Sequence, residues 1–356
     1  MMAMALAALV MSAGFVACSD DNESTSSEQQ QENFTKYLSA VENQVKAKKQ
    51  QSNNNKALLL VAFGSTWENA HNTFKKIVAD YEGDEDFKDY DVYFSFTSAI
   101  CINKSREGEH YASQDFYAPN FWLEAIGRQK YGEVRVQSLH IIPGEEFLRL
   151  RDTYIKDFKN NVYGDLDDQY LEEGVKVFIG GPLMAEEEDV TDVAQALNAN
   201  FSQYVKENNV MAFLGHGNPA GYNYGNGNIR YKQLETKLQT INGNYYVATV
   251  DMEENLLDDL WNRMDGNVAS GVTVTLHALM SIAGDHAHND MSGIENEGDS
   301  WREFFQEKGF TCNYDGNDAN TANNCILKGL GDYDNIRAIW KQHTLNAEEM
   351  FAEEEE

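Results

Sequence analysis

Basic residues are scarce in this chain of 356 residues: 28 Lys and Arg stand against 58 Asp and Glu, a formal net charge of −30. So acidic a balance argues against nucleic acid as a partner, because phosphate binding needs a basic face. Proline is nearly absent, at 4 residues, and with 26 glycines the composition excludes collagen-like and proline-rich repeats. Four cysteines are too few for a disulfide scaffold. Apolar residues nevertheless make up 42% and aromatics 12%, enough to build a core and to exclude a disordered chain. The length suits one large or two medium domains.

Several nucleotide and hydrolase signatures are missing. Gly64-Ser65-Thr66 lacks the glycine-to-lysine spacing of a P-loop, which removes support for ATP hydrolysis. The Gly215-His216-Gly217-Asn218 turn and the Gly/Asn run to Asn228 hold no G-x-S-x-G elbow, so a serine hydrolase is not expected. Asp315 to Asn320 is rich in Asp and Asn, but Ala319 stands where a calcium loop needs an oxygen ligand.

The apolar stretch Met1 to Ala17 is too short to span a bilayer comfortably, which takes about 20 residues. It reads as the apolar region of a secretory signal. Its ending, Phe15-Val16-Ala17-Cys18, resembles a bacterial lipobox, with Cys18 as the lipidated residue of the mature chain. The acidic tract after Cys18 resembles the surface-export signal of Bacteroidetes lipoproteins. The expected location is therefore outside the inner membrane: lipid-anchored to the outer membrane and facing periplasm or cell surface. Residues 18–55 read as a solvated tether, within which Phe34, Tyr37, Leu38, Val41 and Val45 recur at the spacing of a short amphipathic helix. Glu353 to Glu356 read as a solvated acidic tail.

From Lys56 onward, apolar strands alternate with helices. Lys56–Phe63 is continuously apolar and ends in a glycine turn, the pattern of a buried parallel strand. Thr66 is placed to cap a helix from Trp67 to about Tyr81. Strands at Tyr90–Phe96, Val134–Leu139 and Val175–Ile179 alternate with helices near Phe116–Tyr131 and Glu145–Phe158. A second round follows a helix near Val190–Glu207: strands at Val210–Leu214, Tyr245–Val250 and Val272–Leu276, and helices at Asn255–Met264, Trp301–Lys308 and Asn335–His343. This grammar predicts an α/β fold with doubly wound parallel sheets. The first strands of the two rounds end in Phe63-Gly64-Ser65 and Leu214-Gly215-His216, the third in Ser138-Leu139-His140 and Thr275-Leu276-His277. Matching punctuation suggests two copies, residues 56–190 and 191–356, with a cleft between them.

Three of the eight histidines, His140, His216 and His277, fall at predicted carboxyl ends of strands, the edge where open α/β sheets bind ligands. Neutral imidazole suits Co, Ni, Zn and Fe better than Mg. One histidine from each half, facing across the cleft, would hold a divalent ion; a hydrogen-bonded core histidine is the alternative for each. Asp285-His286-Ala287-His288-Asn289-Asp290 is a second dense cluster, either a metal site or a capping turn. Cys312 and Cys325 flank a 12-residue Asn-rich insertion. In an exported protein they read as a disulfide staple, with two free thiols as the alternative. Cys101 reads as buried and inert.

With those residues in view, the sequence resembles the anaerobic cobalt chelatases of the CbiK type, the sirohydrochlorin cobaltochelatases. The matching segments are Leu60 to Ser65, Phe96 to Ile100 with Lys104, Val136 to Ile142, Phe213 to Gly217, Ala283 to Ala287 with Asn289 and Asp290, and Asp299-Ser300-Trp301. They run in family order over the folded part. The resemblance implies two flavodoxin-like domains of the class II chelatase fold and ATP-independent placement of Co²⁺ in sirohydrochlorin or a related tetrapyrrole. It implies His140 and His216 as catalytic and metal-binding residues, and contacts to substrate from Ser65, Ser98, Lys104, Asp285 and His286. The family's glutamate ligand has its nearest candidates in Glu186, Glu187 and Glu188, and Glu186 is taken for it. His277 stands where the family has methionine, which would add a third imidazole. Ni²⁺, Fe²⁺ and Zn²⁺ are alternative metals, and a homo-oligomer is compatible with the sequence. Lys104, Arg106, Arg149 and Arg151 are the candidate partners for substrate carboxylates. Export adds a second reading, a haem-, tetrapyrrole- or metal-binding lipoprotein on the chelatase scaffold, or a dechelatase.

Overall fold

In a computed structural model, residues 27–295, 298–314 and 323–352 are described. Cys18, the segment 1–17 and the tail 353–356 lie outside the described residues. From Leu38 onward the chain forms one compact unit.

A wholly apolar strand requires cover on both faces. Lys56–Ala62 (β1) has it, with Ala57 to Ala62 all 0% exposed. Burying each of its leucines stabilises by about 2 kcal/mol. The described elements before the first crossover are α1 (Ser27–Ser52), β1, α2 (Glu68–Glu82), β2 (Tyr90–Phe96), α3 (Ala99–Glu107), α4 (Pro119–Arg128), β3 (Glu133–Ser138), α5 (Glu145–Arg149), α6 (Lys156–Lys159) and β4 (Lys176–Gly180). After it come α7 (Glu187–Phe201), β5 (Val210–Gly215), α8 (Ile229–Ile241), β6 (Tyr245–Thr249), α9 (Leu257–Met264), β7 (Val274–Ala278), α10 (Trp301–Glu307), β8 (Cys325–Ile326) and α11 (Asp334–Leu345). The strands form two four-stranded sheets, β2-β1-β3-β4 and β6-β5-β7-β8. Every strand pair is parallel, in unbroken register from Lys56↔Tyr90 to Ala62↔Phe96 in the first sheet and from Met211↔Tyr245 to Gly215↔Thr249 in the second. The same 2-1-3-4 order, written twice, is the flavodoxin-like winding.

Several expectations are corrected. Most of the anticipated tether is helix, since α1 runs from Ser27 to Ser52. Leu38, Val41 and Val45 are buried, and Lys49 Nζ donates to the Gln129 carbonyl at 2.7 Å. The apolar spacing foreshadowed a short helix, but docking extends it. Thr66 caps nothing: α2 begins after Trp67 without a side-chain cap, and Thr66 Oγ1 instead meets His110 Nδ1 at 3.0 Å. The helix expected at Phe116 starts at Pro119, because proline favours the first helical position. Phe116 stacks on Phe96, with centroids 4.0 Å apart. The helix expected over Glu145–Phe158 is present, running through a π-helical segment at Leu150–Ile155. The helices α3 and α8 and the short strand β8 had no counterpart in the sequence reading.

The last helix also departs from the expected division at residue 190. α11 packs against β3 and β4 of the first sheet. Arg135 Nη1 donates to the Thr344 carbonyl at 2.6 Å, and Thr344 Oγ1 donates to Gln137 Oε1 at 2.7 Å. Arg337 bridges Asp80 at 2.9 Å and Lys341 bridges Asp84 at 2.7 Å. Among the described residues, no helix is long and apolar enough to cross a membrane.

Candidate metal-insertion site

In sheets of this order the ligand crevice opens beyond the carboxyl ends of the strands, where the winding reverses. Four loops leave the sheets there, after β1, β3, β5 and β7. Backbone geometry brings two of them together. Gly217, after β5, has φ +88°, and a Cβ there would lie 2.7 Å from Met252 Cβ, so only glycine fits without strain. Gly144, after β3, approaches the neighbouring loop so closely that a Cβ would fall 2.7 Å from Asn218 Oδ1. The same Asn218 oxygen accepts from the Glu145 N–H at 3.1 Å. The loop carrying His140 is thus tied to the loop carrying His216.

His140 presents Nδ1 to Ser138 Oγ at 2.9 Å, while its Nε2 is buried with no hydrogen-bond partner. Buried polar atoms are nearly always satisfied, so an orphaned nitrogen calls for a partner that arrives later. Burial pushes the imidazole pKa down to about 4, against the Glu146 charge and with help from Arg149. The ring is therefore neutral at physiological pH, as a ligand must be.

His216 donates Nδ1–H to its neighbour's carbonyl, Gly217 O, at 2.9 Å. That bond assigns the proton to Nδ1 and leaves the lone pair on Nε2. The Asp251 carboxylate lies 3.7 Å from Nδ1. Desolvation in the crevice and the nearby His286 hold its pKa below the usual value, opposed by the Gly217 carbonyl, Asp251 and Glu146. Glu146 is thus the charge felt by both His140 and His216, and both its oxygens lie 2.6 Å from Arg149 Nη2.

His286 stands edge-on to His216, centroids 4.8 Å apart, with Nδ1 2.6 Å from Asp290 Oδ2. Burial alone would depress its pKa. The Asp290 hydrogen bond and the charges of Asp290, Asp285 and Asp251 outweigh burial and raise it. Ala287–Met291 forms a π-helical turn, a local geometry common at functional sites. Within that turn, His288 stacks on Trp67 at 3.7 Å, and His110 covers the other face of the indole at 4.1 Å. Trp67 and His110 follow β1 and α3; His288 follows β7, so this triple stack joins the two sheets' loops.

The remaining sequence candidates divide clearly. Ser65 is buried, its Oγ accepting from Trp67 N–H at 3.2 Å and lying 3.3 Å from where a Cβ on Gly284 would be. Ser98 caps α3, accepting from the Cys101 N–H. Lys104 pairs with Glu109 at 3.1 Å and feels the Asp285 charge. Arg149 is the cation beside His140, whereas Arg106 pairs with Asp115 and Arg151 with Asp152.

One proposed ligand is corrected, and a second makes other contacts. His277 is 0% exposed, and both nitrogens are engaged, Nδ1 with Ala278 O at 2.8 Å and Nε2 with Tyr333 Oη at 3.0 Å. Phe201 and Phe213 flank it. It is a satisfied core histidine, held near pKa 4 chiefly by burial. Glu186 precedes α7, its N–H donating to Asp189 Oδ2 at 2.8 Å, and its carboxylate pairs with Arg230 at 3.4 Å. Glu187 and Glu188 are exposed. Among the described residues no three His, Cys, Asp or Glu side chains gather closely enough to hold a metal ion. Glu146 and Asp251 escaped the sequence reading, which had no spacing signal to find them. Cys312 and Cys325 are buried free thiols, and Cys325 together with burial raises the Cys312 pKa well above its ordinary value.

The sequence model of the cobalt chelatase (CbiK) family matches residues 56–349. A sirohydrochlorin cobaltochelatase of Salmonella typhimurium is 29% identical over 306 residues, covering 84% of this chain and 98% of that protein. The sirohydrochlorin cobaltochelatase CbiKC of Nitratidesulfovibrio vulgaris is 26% identical over 289 residues, covering 80% and 88%. The structure of SirB from Bacillus subtilis with Fe³⁺ superposes with a TM-score of 0.49 at 13% identity, covering 82% of this chain and 96% of that one. The chain belongs to the cobalt chelatase (CbiK) family.

Proposed function

We propose that this member of the cobalt chelatase family inserts Co²⁺ into sirohydrochlorin or a closely related tetrapyrrole, without nucleotide hydrolysis. The observation that carries the reading is the buried, unpartnered Nε2 of His140, set in a loop tied to the one that bears His216. Metal and macrocycle are both substrates, so a complete ligand cage need not pre-exist. The protein supplies two neutral imidazoles and the macrocycle supplies its nitrogens.

The reaction releases two pyrrole N–H protons for each ion bound. His140 and His216 offer Nε2 lone pairs to the entering ion, each fixed by the hydrogen bond its other nitrogen makes. His286, aligned by Asp290, lies beside His216 and is placed to take a departing proton. Glu146 and Asp251 attract the cation electrostatically, and Arg149 offers a guanidinium to a substrate carboxylate.

Adding Co²⁺ and sirohydrochlorin to the purified chain should change the tetrapyrrole absorbance spectrum as metal enters. His140→Ala and His216→Ala should each slow that change by about a hundredfold or more, a loss typical of a removed functional group. Ni²⁺, Fe²⁺ and Zn²⁺ under the same conditions rank the metals. Wild-type rates in both variants, or haem binding with no insertion by the wild type, would overturn the proposal. The Phe15-Val16-Ala17-Cys18 motif supports export and lipid anchoring at Cys18. Labelled palmitate should enter the wild type and not Cys18→Ser.

A further inference from the structure

The Cys312–Cys325 pair takes no part in the chemistry above, yet its surroundings are built to hold two sulfurs in register. Cys325 lies in β8 opposite Leu276 of β7. Cys312 follows Thr311, which bridges Thr273 at the start of the same strand. Just beyond the two cysteines the chain is clasped on itself: Asn313 N–H donates to Asn324 Oδ1 at 2.9 Å, and Asn324 N–H to the Asn313 carbonyl at 2.7 Å. Gln306 Nε2 donates to the Cys312 carbonyl at 2.6 Å. Both thiols are buried in the apolar cluster around Leu276, Trp301 and Phe305, and Cys325 stands close enough to Cys312 to raise its pKa.

We propose that Cys312 and Cys325 are a dithiol–disulfide pair, joined in oxidising surroundings to close the insertion between them and pin β8 to the second sheet. The oxidant is a low-molecular-weight disulfide such as oxidised glutathione. One cysteine thiolate attacks it, forming a mixed disulfide and releasing one glutathione thiolate. The second cysteine thiolate then displaces the other glutathione. Two protons pass to solvent and the two electrons end on the glutathione sulfurs.

The burial of the pair sets the timing. In the closed core the Cys312 thiol is held in its protonated form by the Cys325 contact and by desolvation, and thiolate is the reactive species. The bond therefore forms while the chain folds, and once enclosed it resists reduction. The staple matters beyond its own loop because β8 leads directly into the return path to the first sheet. There the Leu327 carbonyl accepts from Asn69 Nδ2 at 3.2 Å.

The test is refolding of the full chain in a glutathione redox buffer, followed by denaturation, alkylation and peptide mapping. We expect a Cys312–Cys325 cross-linked peptide, two hydrogens lighter than the sum of its parts, and a Tm higher than that of the reduced protein by about 5 °C or more. Oxidation of the already folded, reduced protein should be slower than during refolding. Full alkylation of both cysteines after oxidative refolding would overturn the proposal, as would cross-linking of either to Cys18 or Cys101 instead. The mapping needs no variant, so failure of Cys312→Ala/Cys325→Ala to fold does not weaken it.

Discussion

The imidazoles of His216 and His286 meet edge-on, their centroids 4.8 Å apart, and their surroundings drive them in opposite directions. Desolvation and the His286 charge keep His216 neutral; the carboxylate of Asp290 makes His286 the better proton holder. Two identical side chains thereby differ in proton affinity, as the proposed roles of lone-pair donor and proton acceptor require.

Removing Asp290 should erase that division. In the metal-free protein, NMR titration should place His286 above the ordinary value of 6.5, and Asp290→Asn should bring it down. A raised folded-state pKa contributes stability that is full below about 6.5 and lost as pH rises through the folded value. Asp290→Asn should therefore destabilise mildly acidic samples more than alkaline ones. As the variant loses the group that orients His286, insertion should slow about ten- to a hundredfold.

His140 and His277 predict the opposite slope. Both are pushed down to about 4 by burial, so each takes up a proton on unfolding at intermediate pH. Their contribution is present above about 6.5 and is lost as pH falls toward about 4. Each should add about 1.4 kcal/mol per pH unit to the slope within that window. Urea denaturation from pH 7.5 down to pH 4.5 measures the slope, and His277→Gln should reduce it by about one proton.

Asp332 should matter more than its ion pair suggests. It accepts from Thr73 Oγ1 at 2.8 Å and from the Gly329 N–H at 3.1 Å, and it pairs with Lys76 at 2.5 Å. Its side chain is 9% exposed and that of Lys76 is 55%. Asp332→Ala strands the buried Gly329 N–H, while the Thr73 hydroxyl keeps the Asn69 carbonyl at 3.1 Å, for an expected loss of about 1–3 kcal/mol. Lys76→Ala, which removes only a solvent-screened partner, should cost about 1 kcal/mol or less. Denaturant midpoints of the two variants provide the comparison.

The indole between His110 and His288 gives a fourth prediction. Trp67→Leu removes two stacked contacts and should cost about 3 kcal/mol, while Trp67→Phe keeps a ring in place and should cost about half of that. Thermal melts distinguish them.

The alternation of strand and helix and the doubled winding were legible because fully buried parallel strands are continuous apolar runs. KALLLVA and VMAFLG announce themselves. His216 was legible because it ends such a run, and His140 because it follows the strand Glu133–Ser138 at the matching place in the first round. Elsewhere tertiary contact decides. His277 looks like His140 in sequence, but a tyrosine 56 residues away satisfies its second nitrogen. Glu146 joins the site through a helix start seated on Asn218, and no local spacing encodes that approach. α1 is longer than its apolar stripe because docking adds lysine-to-carbonyl bonds, and α8 shows little segregation of apolar residues to signal it.

The course of the chain has its own consequence. Since α11 comes home to the first sheet after the whole second sheet has been laid down, the second lobe is an insertion threaded into the first. Cutting between residues 190 and 191 would leave the leading fragment without the helix that covers β3 and β4, and that bare apolar face would favour aggregation. The chain crosses between the two sheets twice, where a linear pair of domains has one crossing, so both halves of the fold must be in place before the first sheet is covered.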